Sequence, residues 1–361
     1  MRDKVLNTSA LPIAPWLDAG GPDADVVLSS RVRIARNING VHFPAKATEE
    51  ERQNVLQTLA PALATQLGNN VLLKTGMNEL SALERNFLVE RRLVSRELAK
   101  CGSGSGVIID STQRFSAMIN EEDHLRCQSV RPGLNIEEPL RELEEILAGV
   151  ESGTAFAFHP QLGYLTSCPT NVGTGIRASV MLHLPGLVFQ DWMESVLRAA
   201  GALGMSLRGL FGEGSAPLGN VFQVSNQSTL GEDESTICCR LERIATQLIR
   251  SERTARQKLL RDEPARFADH VARSFATLKY ARIIGSQEAL GALFAVRLGL
   301  CLGMFAASDC RGIHQLIQDI HPAHLQSREG RELQDSERDQ ARAVLIRPNI
   351  TYIESGTKRD E

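Results

Sequence analysis

The spacing of hydrophobic residues divides the chain into two parts, with a change near residue 232. In the first part, six apolar runs of five or six residues predict short β-strands at 106–110, 115–120, 155–159, 179–184, 207–211 and 220–224. Several of these runs lie too close together for a helical crossover, which predicts antiparallel pairing. We therefore expect an α+β fold in which helices flank an antiparallel sheet.

Two capping boxes mark helix starts in this first part. Thr48 precedes Glu51 by three residues, and Ser81 stands in the same relation to Glu84. In such a box the hydroxyl and the carboxylate each accept a hydrogen bond from a backbone amide of the first turn. The pattern predicts helices that begin at residues 49 and 82.

After residue 232 the strand signals stop and apolar residues recur at helical spacing. Leu241, Ile244 and Leu248 share one face of a helix that should run to about residue 260, before Pro264 stops it. We expect two domains: an α+β domain over residues 1–260 and an all-helical C-terminal domain over residues 265–361.

The most apolar stretch of the helical part, residues 289–307, is long enough to test as a membrane span. Arg297 lies near its middle, and an arginine at the centre of a bilayer is costly. A buried helix or a subunit interface explains the stretch better, so we expect no membrane contact.

Composition narrows the class of protein. The chain has 361 residues and a net charge of −3, so no overall positive field points to a nucleic-acid partner. Its seven cysteines form no C-x-x-C pair, and an odd number fits a reducing compartment better than a set of disulfides. No signal-peptide pattern opens the sequence, and we expect a cytoplasmic protein.

The common nucleotide-binding motifs are missing from the sequence. It contains no G-x-x-x-x-G-K-[ST], H-R-D or D-F-G segment, which excludes a P-loop protein and a conventional protein kinase. Gly102, Gly104 and Gly106 lead into a strand and lack the helix that a dinucleotide fingerprint requires.

A set of arginines suggests phosphate binding instead. Five of them stand in polar or glycine-containing segments near predicted strand ends: Arg31, Arg33, Arg126, Arg177 and Arg208. Arg31 and Arg33 would share one face of an extended segment, because side chains alternate along a strand. Arginine forks and Mg²⁺ could hold a triphosphate without a P-loop. For any single one of these arginines, a surface salt bridge is the simpler explanation.

Acidic residues could supply the other half of a site. Glu121, Glu122 and Asp123 crowd one segment, and Glu213 lies between two glycines, which let the backbone approach a ligand closely. Exposed acids in turns are the ordinary explanation. Two carboxylates would, however, also clamp the planar fork of a guanidinium group.

These segments resemble the phosphagen (guanidino) kinases, and among them the bacterial protein arginine kinases. The matching segments are Ser29-Ser30-Arg31-Val32-Arg33, Asn120-Glu121-Glu122-Asp123-His124, Cys168-Pro169-Thr170-Asn171 through Arg177-Ala178-Ser179, Arg208-Gly209 through Gly212-Glu213-Gly214, and Thr229-Leu230-Gly231. The resemblance runs from about Trp16 to Arg347. It implies a phosphagen-kinase/glutamine-synthetase-like antiparallel sheet, a helical domain after it, and ATP with Mg²⁺ as cofactors, the metal being carried by ATP.

The resemblance also implies roles for individual residues. Glu122 and Glu213 would be the paired carboxylates at the guanidinium, with Glu122 ahead of Glu121 as the base, and Cys168 would lie beside the substrate. The implied ATP-binding set is Ser29, Ser30, Arg31, Val32, Arg33, Arg92, Arg126, Arg177, Ala178, Ser179, Val180, Met181, His183, Arg208, Gly209 and Gly212. Arg92 stands where the family usually has a histidine, which leaves its role open. For Cys168 a packed small residue remains the alternative.

Two features favour a protein arginine over free arginine as the acceptor. Only 28 residues precede Ser29, where small-guanidino kinases carry a helical domain. The segment 338–343 resembles the R-D-x-x-R-A motif of protein arginine kinases, whose match here implies a phosphoarginine-binding set of Arg338, Asp339, Arg342 and Ala343. Without the resemblance, this motif is an i, i+4 arginine pair on a helix surface.

The resemblance finally implies partners. These are protein substrates with exposed arginines, a zinc-containing activator of the McsA type, a ClpC-type unfoldase that reads the mark for degradation under stress, and a second copy of the chain in a homodimer. Two other functions stay open: a free-arginine phosphagen kinase, and a phosphoarginine-binding adaptor without catalysis.

Overall fold

An eight-stranded antiparallel sheet forms the centre of the computed structural model, which describes residues 11–209, 218–307 and 309–355. The strands are β1 (Val27–Arg36), β2 (Val71–Gly76), β3 (Gly106–Asp110), β4 (Phe115–Ile119), β5 (Leu125–Pro132), β6 (Phe158–His159), β7 (Gly163–Tyr164), β8 (Ile176–His183), β9 (Met205–Gly209) and β10 (Val221–Asn226). Across the sheet the order is β2-β3-β4-β5-β1-β8-β10-β9, while β6 and β7 form a separate hairpin. The expected α+β class is confirmed.

Helices cover the sheet and make up the C-terminal part. They are α1 (Glu49–Leu67), α2 (Ala82–Glu90), α3 (Arg96–Lys100), α4 (Glu137–Glu151), α5 (Pro185–Phe189), α6 (Met193–Ala202), α7 (Glu234–Asp262), α8 (Pro264–Tyr280), α9 (Ser286–Cys301), α10 (Arg311–Asp319), α11 (Pro322–Glu329), α12 (Asp335–Ile350) and α13 (Tyr352–Ser355). Both capping boxes form: the hydroxyls of Thr48 and Ser81 each accept a hydrogen bond of 3.2 Å from the amide three residues on.

The strand predictions differ from the structure in two respects. The strand expected at 155–159 is wrong over most of its length, because only Phe158–His159 pairs in the hairpin and Phe156 makes an isolated bridge to Ile38. Strands β2, β5 and the two-residue β7 were not predicted. In β5 the alternation of apolar and polar residues breaks where polar Ser129 lies on the core side, opposite Val32, and Val130 lies on the other side.

The two faces of the sheet are covered differently. On one face, Val32 and Val180 pack with Leu63 of α1, Leu143 of α4 and Leu241 of α7 in the largest core cluster. On the other face, α2 and α3 pack over β2, β3 and β4, and the helices from α8 to α12 pack over one end of β8 and β10. On this second face, the central strands β1, β5 and β8 form the floor of a cleft between the two groups of helices.

Helix α9 is held to the sheet by a buried arginine. Arg297 is fully buried, and its guanidinium donates to His314 Nε2 at 2.8 Å, to the Asp25 carbonyl at 3.1 Å and to His183 Nδ1 at 2.9 Å. Burial and the adjacent Arg297 charge lower the pKa of His314 to about 3, so its imidazole is neutral and can accept. The apolar stretch is thus a buried helix. Within the described ranges, no helix has the length and hydrophobicity to cross a membrane.

Replacing this arginine should destabilise the whole fold. Arg297→Met removes the donor to an imidazole nitrogen of His314, to one of His183 and to the Ala24 carbonyl, while the Asp25 carbonyl keeps Arg256. Each buried unsatisfied group costs about 1–3 kcal/mol. We expect the free energy of unfolding in urea, followed by far-UV circular dichroism, to fall by at least ~3 kcal/mol. The exposed Arg261→Met on α7 is the control and should stay within about 0.5 kcal/mol of the parent. Equal effects of the two substitutions would contradict the role given to Arg297.

Candidate active site

Strand register brings four arginines together on the open face of the sheet. Arg33 on β1 lies directly opposite Arg177 on β8, and Ala35 lies opposite Arg126 on β5. Arg31 is two residues before Arg33 and therefore points the same way. Because paired residues of antiparallel strands project to the same side, the four guanidinium groups share one face. Sequence spacing predicted this only for Arg31 and Arg33.

Arg208 lies on the same face, farther toward the sheet edge. It pairs with Gln223 on β10, which in turn pairs with Met181 on β8. Gln223 also accepts a hydrogen bond of 3.2 Å from Arg31. Gly209 ends β9, while Gly212 and Glu213 lie outside the described residues, so the second carboxylate expected at the site has no position here.

The arginine cluster carries more positive charge than its protein surroundings balance. Burial, followed by the charges of Arg92, Arg126 and Arg177, lowers the pKa of Arg31 to about 9. The pKa of Arg33 is held well below its usual range, mainly by burial and then by its arginine neighbours. Arg33 Nε is buried with no hydrogen-bond partner in the described part of the chain. An anionic ligand would therefore balance the positive charge of this cluster.

Two glutamates meet one of these arginines. Arg126 lies 2.6 Å from Glu121 and 2.7 Å from Glu122, measured between nitrogen and oxygen. The side chain of Glu121 is only 2% exposed, whereas that of Glu122 is 45% exposed and lines the cleft. Glu122 can therefore reach a ligand, and Glu121 is placed to hold Arg126.

The acidic segment is fixed to the Cys168 loop by a buried aspartate. Asp123 Oδ1 accepts hydrogen bonds from Asn37 Nδ2 at 2.8 Å and from the Ser167 amide at 2.7 Å. The Ser167 hydroxyl donates to the Glu122 carbonyl at 2.7 Å. Sequence reasoning assigned no role to Asn37 or Ser167, because neither residue type signals a structural contact on its own.

Cys168 lines the cleft together with Thr170 and Asn171. Its Sγ lies 3.0 Å from Thr170 Oγ1. The cleft has a volume of about 220 Å³ and is open to solvent. Its lining brings together five of the expected residues, Arg33, Glu122, Arg126, Cys168 and Arg177. The other lining residues are Ala35, Thr170, Asn171 and Gly175.

A second pocket adjoins this cleft at Arg31. It is lined by residues that include Ser29, Ser179 and Met181, all of them expected at a nucleotide. Trp16, which sequence reasoning did not single out, lines it as well, with the Arg92 guanidinium 4.2 Å from its ring centroid. Arg92 follows the end of α2 and has a φ of 60°. At this bend in the backbone its side chain reaches the pocket.

Several residues of the implied ATP-binding set lie elsewhere. Val32, Ala178 and Val180 point into the core on the opposite face, and Ser30 donates to the Gly133 carbonyl on that side. His183 lies under α9 with its Nδ1 on Arg297. The structure does not bring these five side chains to the cleft.

The C-terminal motif is largely occupied by structural contacts. Arg342 is buried and donates to the carbonyls of Ile320 at 3.0 Å and Ile284 at 2.7 Å, and to Asp339 at 2.6 Å. Ala343 is buried too. Arg338 donates to the Leu333 carbonyl at 3.0 Å and pairs with Asp335, but its side chain is partly exposed. Arg338 and Asp339 are the members that a ligand could reach.

Comparison with known proteins covers nearly the whole chain. Residues 54–255 match the family described as ATP:guanido phosphotransferase, C-terminal catalytic domain, and residues 264–361 match the Protein-arginine kinase McsB C-terminal domain. The protein-arginine kinase of Halothermothrix orenii is 42% identical over 341 residues, covering 94% of this chain and 97% of that protein. That of Bacillus subtilis is 39% identical over 353 residues, covering 97% and 96%.

A solved structure agrees with these matches. The crystal structure of lombricine kinase superposes with a TM-score of 0.58 at 27% sequence identity, covering 70% of this chain and 72% of that chain. The resemblance found in the sequence motifs is thereby confirmed. The chain belongs to the protein-arginine kinase family of ATP:guanido phosphotransferases.

Proposed function

We propose that this protein transfers the γ-phosphoryl group of ATP to the guanidinium group of arginine residues in proteins. The observation that carries the proposal is the set of three arginines, Arg33, Arg126 and Arg177, that line one cleft with Glu122, in a chain that matches this family over both its parts. The arginines would bind the phosphates of ATP, and Arg92, beside Trp16, would lie toward its ribose.

The cleft offers the groups that this reaction needs. A guanidinium group has a pKa of roughly 12.5 to 13.8, so its nitrogen carries no free lone pair at neutral pH. Glu122 would orient it and accept the proton as the new N–P bond forms and the bond from the γ-phosphorus to the bridging oxygen breaks. Arg33, Arg126 and Arg177 would stabilise charge on the transferring phosphoryl group, and Mg²⁺ bound to ATP would add to that stabilisation.

The remaining members of the site are proposed on the same basis. Glu213 would be the second carboxylate, Arg208 and Gly209 would lie near the phosphates, and Cys168 would contact the substrate guanidinium beside Glu122. Glu121 would act through Arg126, which it holds at 2.6 Å. Five side chains that lie away from the cleft would take no part in binding ATP: Ser30, Val32, Ala178, Val180 and His183.

Asp123→Asn should slow transfer without weakening ATP binding. The substitution removes the charge that holds the Ser167 amide and Asn37, so the Glu122 segment shifts relative to Cys168. A displacement of about 1 Å can cost on the order of 100-fold in rate. We expect kcat to fall 10- to 100-fold with the Kd for ATP changed less than threefold. A parallel loss of ATP affinity would show that Asp123 supports the fold in general.

A competition between acceptors separates this function from phosphorylation of free arginine. The protein, Mg-ATP, an unfolded protein and free arginine at equal guanidinium concentrations would be incubated together, and acid-labile phosphate measured in the protein and small-molecule fractions. We expect the label in the protein fraction. Label mainly in free phosphoarginine would favour a phosphagen kinase, and no label in either fraction would favour an adaptor without catalysis.

The domain division and the partners belong to the same proposal. Residues 1–260 would form the catalytic domain and residues 265–361 a domain for dimerisation and phosphoarginine binding, which is supported by the match of residues 264–361 to a family C-terminal domain. A zinc-containing activator of the McsA type and a ClpC-type unfoldase would be partners in a cytoplasmic route to degradation under stress.

Arg338→Ala should weaken binding of phosphoarginine to the helical domain. Arg338 is the member of the motif with a partly exposed guanidinium, whereas Arg342 is buried. Titration calorimetry with phosphoarginine should show a Kd raised by tenfold or more, since a charged hydrogen bond contributes about 1.5–3 kcal/mol. The exposed Arg311→Ala serves as the control. An unchanged Kd for Arg338→Ala would place the binding site elsewhere.

A further inference from the structure

An exposed apolar patch lies beside the cleft. Phe158 on the β6–β7 hairpin is 59% exposed, Leu162 in its turn is 42% exposed, and Leu230 is 53% exposed. Exposed large apolar side chains that cluster usually mark a contact surface, whereas scattered ones need no explanation. The proposed catalytic roles use none of these three residues.

The segments that carry these side chains are neighbours in the fold. The rings of Phe158 and Tyr164 lie edge to face with centroids 5.2 Å apart. Tyr164 exchanges two backbone hydrogen bonds with Gly173, of 2.7 and 3.2 Å. A Cβ on Gly173 would lie 3.0 Å from the Cα of Leu230, so these two segments are in contact. We name Phe158, Leu162, Tyr164 and Leu230 the mouth patch.

The mouth patch is continuous with the cleft and is held rigidly. Three residues separate Tyr164 from Cys168, and Ser167 among them bonds to both Asp123 and Glu122. The Arg36 guanidinium lies 3.4 Å from the centroid of the Tyr164 ring and donates to the Thr174 carbonyl at 2.8 Å. A ligand that enters the cleft from solvent and extends along this rim would meet a preformed apolar surface.

We propose that the mouth patch binds apolar side chains that flank the target arginine in an unfolded segment of the substrate protein. This inference rests on the proposed function and adds the substrate class. An extended chain advances about 3.3 Å per residue, so neighbours two or three positions away reach 7–10 Å beyond the arginine. Free arginine has no atoms there. A folded domain buries most of its large apolar side chains, whereas an unfolded segment exposes them next to arginine.

A pair of matched peptides tests the proposal. Both carry one arginine and the same net charge; in one the flanking residues are leucine and phenylalanine, in the other serine and glycine. The measured quantity is the ratio of kcat/KM for the two peptides with Mg-ATP. Burying one such side chain contributes enough for about a tenfold difference, so the parent protein should prefer the apolar peptide at least tenfold.

The variants identify the surface responsible. Phe158→Ser and Leu230→Ser should each reduce the ratio toward one, and so should Leu162→Ser if the first variant fails to fold by circular dichroism. Tyr280→Ser, at a residue 69% exposed on α8, is the control and should keep the parental ratio. A parental ratio near one, or a ratio retained in the folded patch variants, would overturn the inference. If the protein phosphorylates neither the peptides nor an unfolded protein, the proposed function itself is overturned.

Discussion

Glu122→Gln is expected to lower the rate of phosphoryl transfer to arginine by about 10²- to 10⁴-fold, the usual contribution of a general base. Glutamine keeps the length of the side chain and can still accept the hydrogen bond from Arg126, now 2.7 Å away. It cannot accept the proton that leaves the guanidinium, nor pair with its charge. The Kd for ATP, from titration calorimetry, should change by less than threefold.

The chain offers a matched control for this substitution. Glu138 is also paired with an arginine at 2.7 Å, and its side chain is 41% exposed, close to the value for Glu122. Glu138→Gln should leave kcat within a factor of two. Near-parental turnover in Glu122→Gln, or equal losses in both variants, would remove Glu122 from the role of base.

Arg33→Met is expected to lower activity without lowering stability. The pKa of Arg33 lies well below its usual range because burial and neighbouring arginines destabilise the charged form in the fold. Removing that charge should therefore leave the free energy of unfolding unchanged or raise it. The transferring phosphoryl group, in contrast, loses one of its charge-stabilising donors, which should lower kcat/KM by about 10²- to 10³-fold.

Two measurements on the same preparation check this prediction. Urea unfolding gives the stability, and the initial rate with Mg-ATP and an unfolded protein gives the activity. Arg250→Met, on the exposed surface of α7, should alter neither. Clear destabilisation of Arg33→Met would mean that the arginine is a structural residue, and parental activity would place the phosphates elsewhere.

The sequence predicted the fold best where the hydrophobic pattern and the local chemistry agree. Thr48 and Ser81 mark helix starts because capping depends on residues only three positions apart. Strand β5 was missed because its alternation of apolar and polar residues breaks at Ser129 and Val130. Helix α9 has apolar residues all round because it is buried on all sides, and this also made it resemble a membrane span.

The candidate site was predictable as a set of residues but not as an arrangement. The motifs indicated arginines and glutamates, yet only the antiparallel register places Arg177 opposite Arg33. His183 was expected at the nucleotide, but α9 covers that end of β8. Its contact residue Arg297 lies more than a hundred residues later in the sequence. Trp16 was missed for the same reason: its partner Arg92 comes from a distant helix end.

The most direct test of the account is to locate the phosphate on a protein substrate. The full chain would be incubated with Mg-ATP and an unfolded protein, and the product analysed by mass spectrometry at neutral pH, with a portion acid-treated first. Phosphate is expected on arginine residues of the substrate. It should be lost on acid treatment and should be absent when the Glu122→Gln variant replaces the parent protein. Acid-stable phosphate confined to serine, threonine or tyrosine would contradict it.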